Sequence, residues 1–178
     1  MTWVVWFTGL PGCGKTTIAQ RTKALLEEMG IPSRTLQLDE VRRVITPQPR
    51  YTEEEREIVY ASLAYMAMLL YEAGVNVIVD ATANRRRYRD LARGLIPHFA
   101  EVFVQAPLEV CMAREAVRKA EFSPRDIYKK AGKGATVPGV GVAYEEPLSA
   151  EIAVDSSKMD PDQCAELVAR RIREIFAP

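Results

Sequence analysis

The chain is poor in the residues on which several kinds of chemistry depend. It has three cysteines in 178 residues, Cys13, Cys111 and Cys164, odd in number and far apart. That excludes a disulfide framework and a paired-cysteine zinc site, and it favours a reducing compartment, the cytoplasm. The single histidine, His98, follows Pro97 near the end of a helical pattern and suits a structural or surface role. With one imidazole, no Ser/His/Asp arrangement and no histidine-rich metal cluster can be built. No apolar run reaches the ~18 residues needed to cross a bilayer. The first strand-like run begins at Trp3, so no secretory leader is expected ahead of it. An excess of either charge is missing too. Lys+Arg and Asp+Glu both number 24, which gives no reason to expect a nucleic-acid or membrane partner. An Asn-Lys-x-Asp guanine-reading motif is absent, which argues against a GTPase switch.

What is present is a globular composition, 48% apolar, in a chain long enough for one domain spanning 1–178. Apolar strand-like runs fall near 3–8, 33–38, 75–80, 101–105 and 151–155, and helical patterns cover 15–29, 53–73, 85–96, 107–118 and 161–176. Alternation of this kind predicts an α/β fold with a mostly parallel five-stranded sheet. The run Val75–Val79 suits a central strand covered on both faces. Gly30 and Gly74 read as helix stops, Thr52 with Glu55 as a capping box, and Asp160-Pro161 as a helix start.

The strongest motif is Gly9-Leu10-Pro11-Gly12-Cys13-Gly14-Lys15-Thr16, a full match to G-x-x-x-x-G-K-[ST] between a strand-like and a helix-like run. Glycines turn backbone N–H groups inward as an anion nest, and the following helix N-terminus adds partial positive charge. Lys15 is placed to reach the β- and γ-phosphates of ATP, and the Thr16 hydroxyl to hold Mg²⁺. Thr17 joins this ATP-binding set, and Cys13 is expected as a small filler, although a helix N-terminus can lower a thiol's pKa.

A second constellation follows the second strand. Asp39 should lie across the cleft from the phosphate loop, because ligands gather beyond the carboxyl ends of parallel strands. A carboxylate there can orient an attacking hydroxyl and accept its proton. Arg42, one helical turn on, can clamp an anionic part of the acceptor. Asp80 ends the central strand and is a candidate for the magnesium shell. Arg85, Arg86, Arg87 and Arg89 form a dense basic run, of which Arg85 and Arg86 are candidates for substrate contact. Residues 119–146 mix Lys119, Arg125, Lys129, Lys130 and Lys133 with four glycines and read as a mobile basic lid that excludes water from phosphoryl transfer.

These residues together resemble the adenylylsulfate kinases of sulfate assimilation. Val102–Arg114 is similar to that family's strand-and-helix segment, Ile127-Tyr128-Lys129-Lys130-Ala131 to its lid entry, and Tyr144-Glu145-Glu146-Pro147 with Glu151–Lys158 to its tail. The resemblance implies a P-loop kinase fold, Mg-ATP, often a homodimer, and transfer of the γ-phosphoryl to the 3′-hydroxyl of adenosine 5′-phosphosulfate. It implies ATP contacts for Gly9, Gly12, Cys13, Gly14, Lys15, Thr16 and Thr17, with Arg114 near the base. It implies acceptor roles for Asp39, Arg42, Lys129 and Lys130. The acceptor half departs from the family pattern. Gln37 and Leu38 replace an aspartate and a glycine, Val59-Tyr60-Ala61-Ser62 replaces a run bearing two arginines, and Val137 falls where a stacking phenylalanine is expected. A cation must then come from another direction, Arg85, Arg86 or Lys133 being the candidates. The alternative is a related kinase for another hydroxyl, on a nucleoside, a sugar or a polynucleotide 5′ end. A nucleotide-dependent switch or binding module is the reading from a different class.

Overall fold

The computed structural model describes residues 1–117, 127–131 and 136–177. Five strands, β1 (Val4–Thr8), β2 (Ser33–Gln37), β3 (Asn76–Asp80), β4 (Phe99–Gln105) and β5 (Ile152–Asp155), form one sheet in the order β2-β3-β1-β4-β5. Every pairing is parallel, with Phe7 opposite Asp80 and Val102, and Gln37 opposite Asp80. The carboxyl ends of β1, β2 and β3 therefore open on one edge, where the phosphate loop and the residues after β2 and β3 lie.

Alternation along the strands explains the two-sided core. Val5, Phe7, Ile78, Val102 and Val104 face one layer, with α1 (Lys15–Glu28) and α7 (Pro161–Ile175). Val4, Trp6, Val77 and Val79 face the other, with α3 (Glu53–Glu72) and α4 (Arg86–Leu95). Successive side chains of a strand point to opposite faces, so a strand apolar at every position must be covered on both. Gly30 and Gly74 close α1 and α3 in the left-handed region, as expected.

Two helices extend beyond the sequence reading, α2 (Leu38–Ile45) and the short α6 (Ile127–Ala131), and α5 spans Leu108–Val117. Of the lid expected at 119–146, residues 119–126 and 132–135 lie outside the described residues; α6 and 136–146 pack on the body. Tyr128 donates to the carbonyl of Pro11 in the phosphate loop at 2.8 Å. No helix among the described residues is long and apolar enough to cross a membrane.

The start of α7 carries a complete capping box. The Asp160 carboxylate accepts from the N–H of Asp162 and Gln163, and the Gln163 side chain accepts from the Asp160 N–H. Asp160→Ala is expected to lower stability by about 1 kcal/mol in denaturant unfolding. Its turnover at saturating substrate should match that of the parent.

Candidate active site

The phosphate loop holds its shape through close backbone approach. A Cβ on Gly9 would meet the Val104 carbonyl oxygen at 2.3 Å, and one on Gly12 the Cys111 carbonyl oxygen at 2.5 Å. No residue larger than glycine fits either place. Gly14, at φ 100°, caps α1 without a side-chain bond. Lys15 is buried, and its ammonium donates to the carbonyls of Gly9 at 3.0 Å and Leu10 at 2.9 Å. Cys13 is fully buried, and burial pushes its thiol pKa up despite the nearby Lys15, so it is the inert filler. Thr17 is exposed and outside the cavity lining. Arg114 reaches the loop from α5, donating to the Ser156 hydroxyl at 3.0 Å and carbonyl at 2.7 Å, and to the Cys13 carbonyl at 3.4 Å.

A cavity of about 270 Å³ opens beside the loop. Lys15, Thr16 and Asp80 line one side, and Asp39, Arg42, Tyr51, Arg56 and Tyr60 line another. Lys15, Thr16, Asp39, Arg42 and Asp80, all singled out from the sequence, thus come together in one space. Thr16 Oγ1 donates to Asp80 Oδ2 at 2.6 Å. A hydroxyl and a carboxylate side by side next to a lysine fit a magnesium ion, a hard cation that takes oxygen ligands and keeps substrate phosphates among them.

The arginine run behaves otherwise. Arg85 pairs with Glu53 at 3.4 Å and Glu145 at 3.3 Å, and the backbone N–H of Arg86 donates to Glu145 at 2.8 Å. Neither arginine lines the cavity; their carboxylate partners hold them at the junction of α3, α4 and the 143–146 segment. Lys129 is exposed on α6 and also outside the lining, while the side chain of Lys130 and all of Lys133 fall outside the described residues.

A guanidinium that the sequence reading passed over, that of Arg56, does line the cavity. It is buried and donates to the Thr136 carbonyl at 2.6 Å. A signal was present: Arg56, Val59, Tyr60, Leu63, Ala64 and Ala67 form the buried face of α3. A charged residue inside such a stripe is either paired or functional. The capping signature was also half right. Thr52 accepts from the Glu55 N–H, but the Glu55 carboxylate accepts from the N–H groups of Arg50 and Tyr51 instead of Thr52, and pairs with Arg42 at 3.3 Å. Glu55 thereby fixes both Arg42 and Tyr51, whose ring lies 5.0 Å from the guanidinium.

Two non-glycine residues among those described have positive φ, Tyr51 (56°) and Ala83 (42°), and both border this cavity region. Such conformations cost about 1–3 kcal/mol each and persist where surrounding bonds impose them. Tyr51 is held by Glu55. Ala83 is held through its N–H, which donates to the Tyr60 hydroxyl at 3.1 Å. Burial raises that phenol's pKa to about 12, so it stays protonated.

Burial works to raise the Glu55 pKa, but the N–H groups of Arg50 and Tyr51 and the Arg42 charge outweigh it and leave the pKa lowered. A lowered pKa gives stability that is present above the unfolded value of about 4.3 and is lost as pH falls through the folded one. Glu55→Gln is expected to cost about 2 kcal/mol at pH 7. Its deficit against the parent should narrow below about pH 4 in thermal unfolding. A deficit independent of pH would contradict this.

Comparison with known proteins agrees with the geometry. Residues 1–155 match the family model described as adenylylsulphate kinase. A probable adenylyl-sulfate kinase of Pyrococcus abyssi is 39% identical over 173 residues, covering 96% of this chain and 95% of that protein. An adenylyl-sulfate kinase of Rippkaea orientalis is 34% identical, over 96% of this chain and 91% of that one. The Mycobacterium tuberculosis APS kinase CysC, solved in complex with AMPPNP and APS, superposes with a TM-score of 0.84 at 27% identity, covering 97% of this chain and 98% of that one. The chain belongs to the adenylylsulphate kinase family.

Proposed function

We propose that this chain is an ATP-dependent kinase that moves the γ-phosphoryl of ATP to the 3′-hydroxyl of adenosine 5′-phosphosulfate. One observation carries the reading: a single cavity is lined by the phosphate-loop groups Lys15 and Thr16, by Asp80 at the end of β3, and by Asp39, Arg42 and Arg56. A donor phosphate and an acceptor hydroxyl can meet there without either crossing solvent.

Phosphoryl transfer asks mainly for positioning and charge neutralisation. In this reading the loop amides of Gly9, Gly12 and Gly14 cradle the phosphates, and Lys15 leaves the loop carbonyls to bear on the γ-phosphoryl. Thr16 and Asp80 would hold magnesium. Magnesium, when bound, neutralises charge on the β- and γ-phosphate oxygens. Asp39 orients the acceptor hydroxyl and takes its proton as oxygen bonds to the γ-phosphorus and the bond to the bridging oxygen of ADP breaks. Arg42 and Arg56 hold the phosphosulfate, since a guanidinium meets such an anion with paired donors. Tyr51 and Tyr60 offer flat walls to the acceptor's base. Arg114 braces the loop on the side expected for the nucleotide base, and Lys129 and Lys130 belong to the lid.

An ADP-release assay tests the proposal, with adenosine 5′-phosphosulfate run beside nucleosides, sugars and 5′-hydroxyl oligonucleotides. Adenosine 5′-phosphosulfate should drive ADP release above all the others. Preference for another hydroxyl would give the site to a different acceptor. Asp39→Asn should lower kcat about 100-fold or more with nearly unchanged ATP binding. Arg56→Ala should raise the acceptor KM about tenfold or more while the ATP KM moves less than about twofold. Equal changes in both KM values would remove Arg56 from the acceptor side.

A further inference from the structure

The loop joining β3 to α4, residues 81–84, has no regular secondary structure, yet each of its four carbonyls is taken by a different group. Ala81 accepts from Trp6 Nε1 at 3.0 Å, Thr82 from Thr8 Oγ1 at 2.6 Å, and Asn84 from the Glu145 N–H at 2.7 Å. The carbonyl of Ala83 accepts from Arg89. Ala81 and Thr82 form part of the cavity wall; Ala83, with its positive φ, stands directly behind them.

Arg89 is fully buried and takes no part in lining the cavity. Its guanidinium lies 3.4 Å from the Glu101 carboxylate, donates to the Ala83 carbonyl, and donates to the Glu145 carbonyl at 2.7 Å. It thus ties β4, the 81–84 loop and the 143–146 segment at one point. Tyr144, beside Glu145, bonds through its hydroxyl to the same Thr8 that holds Thr82. Burying a charge in the second layer is costly, and a packed apolar residue would serve stability at least as well. A rigid forked cation suits two carbonyls held at fixed positions, with the Glu101 carboxylate alongside as its counter-charge.

We propose that Arg89 is a positioning residue for the acceptor. It keeps Ala83 in its strained conformation and so fixes the Ala81–Thr82 wall against which the acceptor is set. Loosening the clasp should weaken acceptor binding more than it weakens nucleotide binding, because the phosphate loop is built on β1 and α1 and Asp80 is paired within the β3 ladder.

Two variants test this, and the kinetic arm rests on the acceptor proposed above. Arg89→Lys keeps the charge opposite Glu101 but cannot fork. It should raise the acceptor KM about fivefold or more, with the ATP KM within about twofold. Ala83→Gly removes the strain, so its Tm should stay within about 3 °C of the parent while its acceptor KM also rises. A Tm loss in Arg89→Lys with no selective rise in acceptor KM, together with parent-like kinetics in Ala83→Gly, would overturn the proposal. Amide exchange at residue 83 needs no acceptor, so it judges the clasp even if the parent prefers another hydroxyl. The parent amide should be strongly protected and exchange about tenfold or more faster in Arg89→Lys. Exchange at the same rate in both proteins sinks the clasp whatever the acceptor proves to be.

Discussion

The hydrogen bond from Thr16 to Asp80, 2.6 Å long and spanning 64 residues of sequence, ties the phosphate loop to the neighbouring strand end. It exists because β1 and β3 run parallel and in register, with Phe7 opposite Asp80. Parallel strands put successive carboxyl ends on one edge, so a loop after β1, a helix after β2 and a carboxylate at the end of β3 converge without any long excursion of the chain. Reverse either strand and the lysine and the carboxylate would sit on opposite edges of the sheet. The catalytic arrangement is therefore a consequence of the crossover topology before it is a property of any side chain.

Around that junction the protein keeps an unusual amount of charge out of water. Arg42, Arg56 and Arg89 are all buried, as is Glu101. Each described guanidinium has polar company: Glu55 for Arg42, Thr136 for Arg56, and Glu101 with two carbonyls for Arg89. Burial pushes the Glu101 carboxyl up, and Arg89 and Arg93 oppose it. Desolvated charges interact more strongly than exposed ones, so an anion entering the cavity beside Arg42 and Arg56 would be held more strongly than at the surface. Exposed pairs such as Arg171 with Glu174 contribute little by comparison.

The five strands, the glycine stops, the helix start at Asp160-Pro161 and the phosphate loop were legible because each rests on local periodicity or on residues with a fixed backbone role. Asp39, Arg42 and Asp80 were legible from their place after strand ends. Arg56 was not, because its role depends on which face of α3 is buried, and the apolar stripe drew attention away from the arginine within it. Arg85 and Arg86 show the opposite limit, since they lie outside the cavity lining. A dense basic run looks like substrate contact, whereas the partners that hold it, Glu53 and Glu145, lie 32 and 60 positions from Arg85. Pairings over such separations are set by tertiary packing, which no local pattern encodes.

If donor and acceptor meet directly in the one cavity, the phosphoryl passes between them in a single in-line displacement. The stereochemical course at phosphorus reads this most directly, using ATP made chiral at the γ-phosphorus and adenosine 5′-phosphosulfate as acceptor. Inversion of configuration is the predicted result. Retention would require two displacements through a phosphorylated residue, and it would contradict the shared-cavity account.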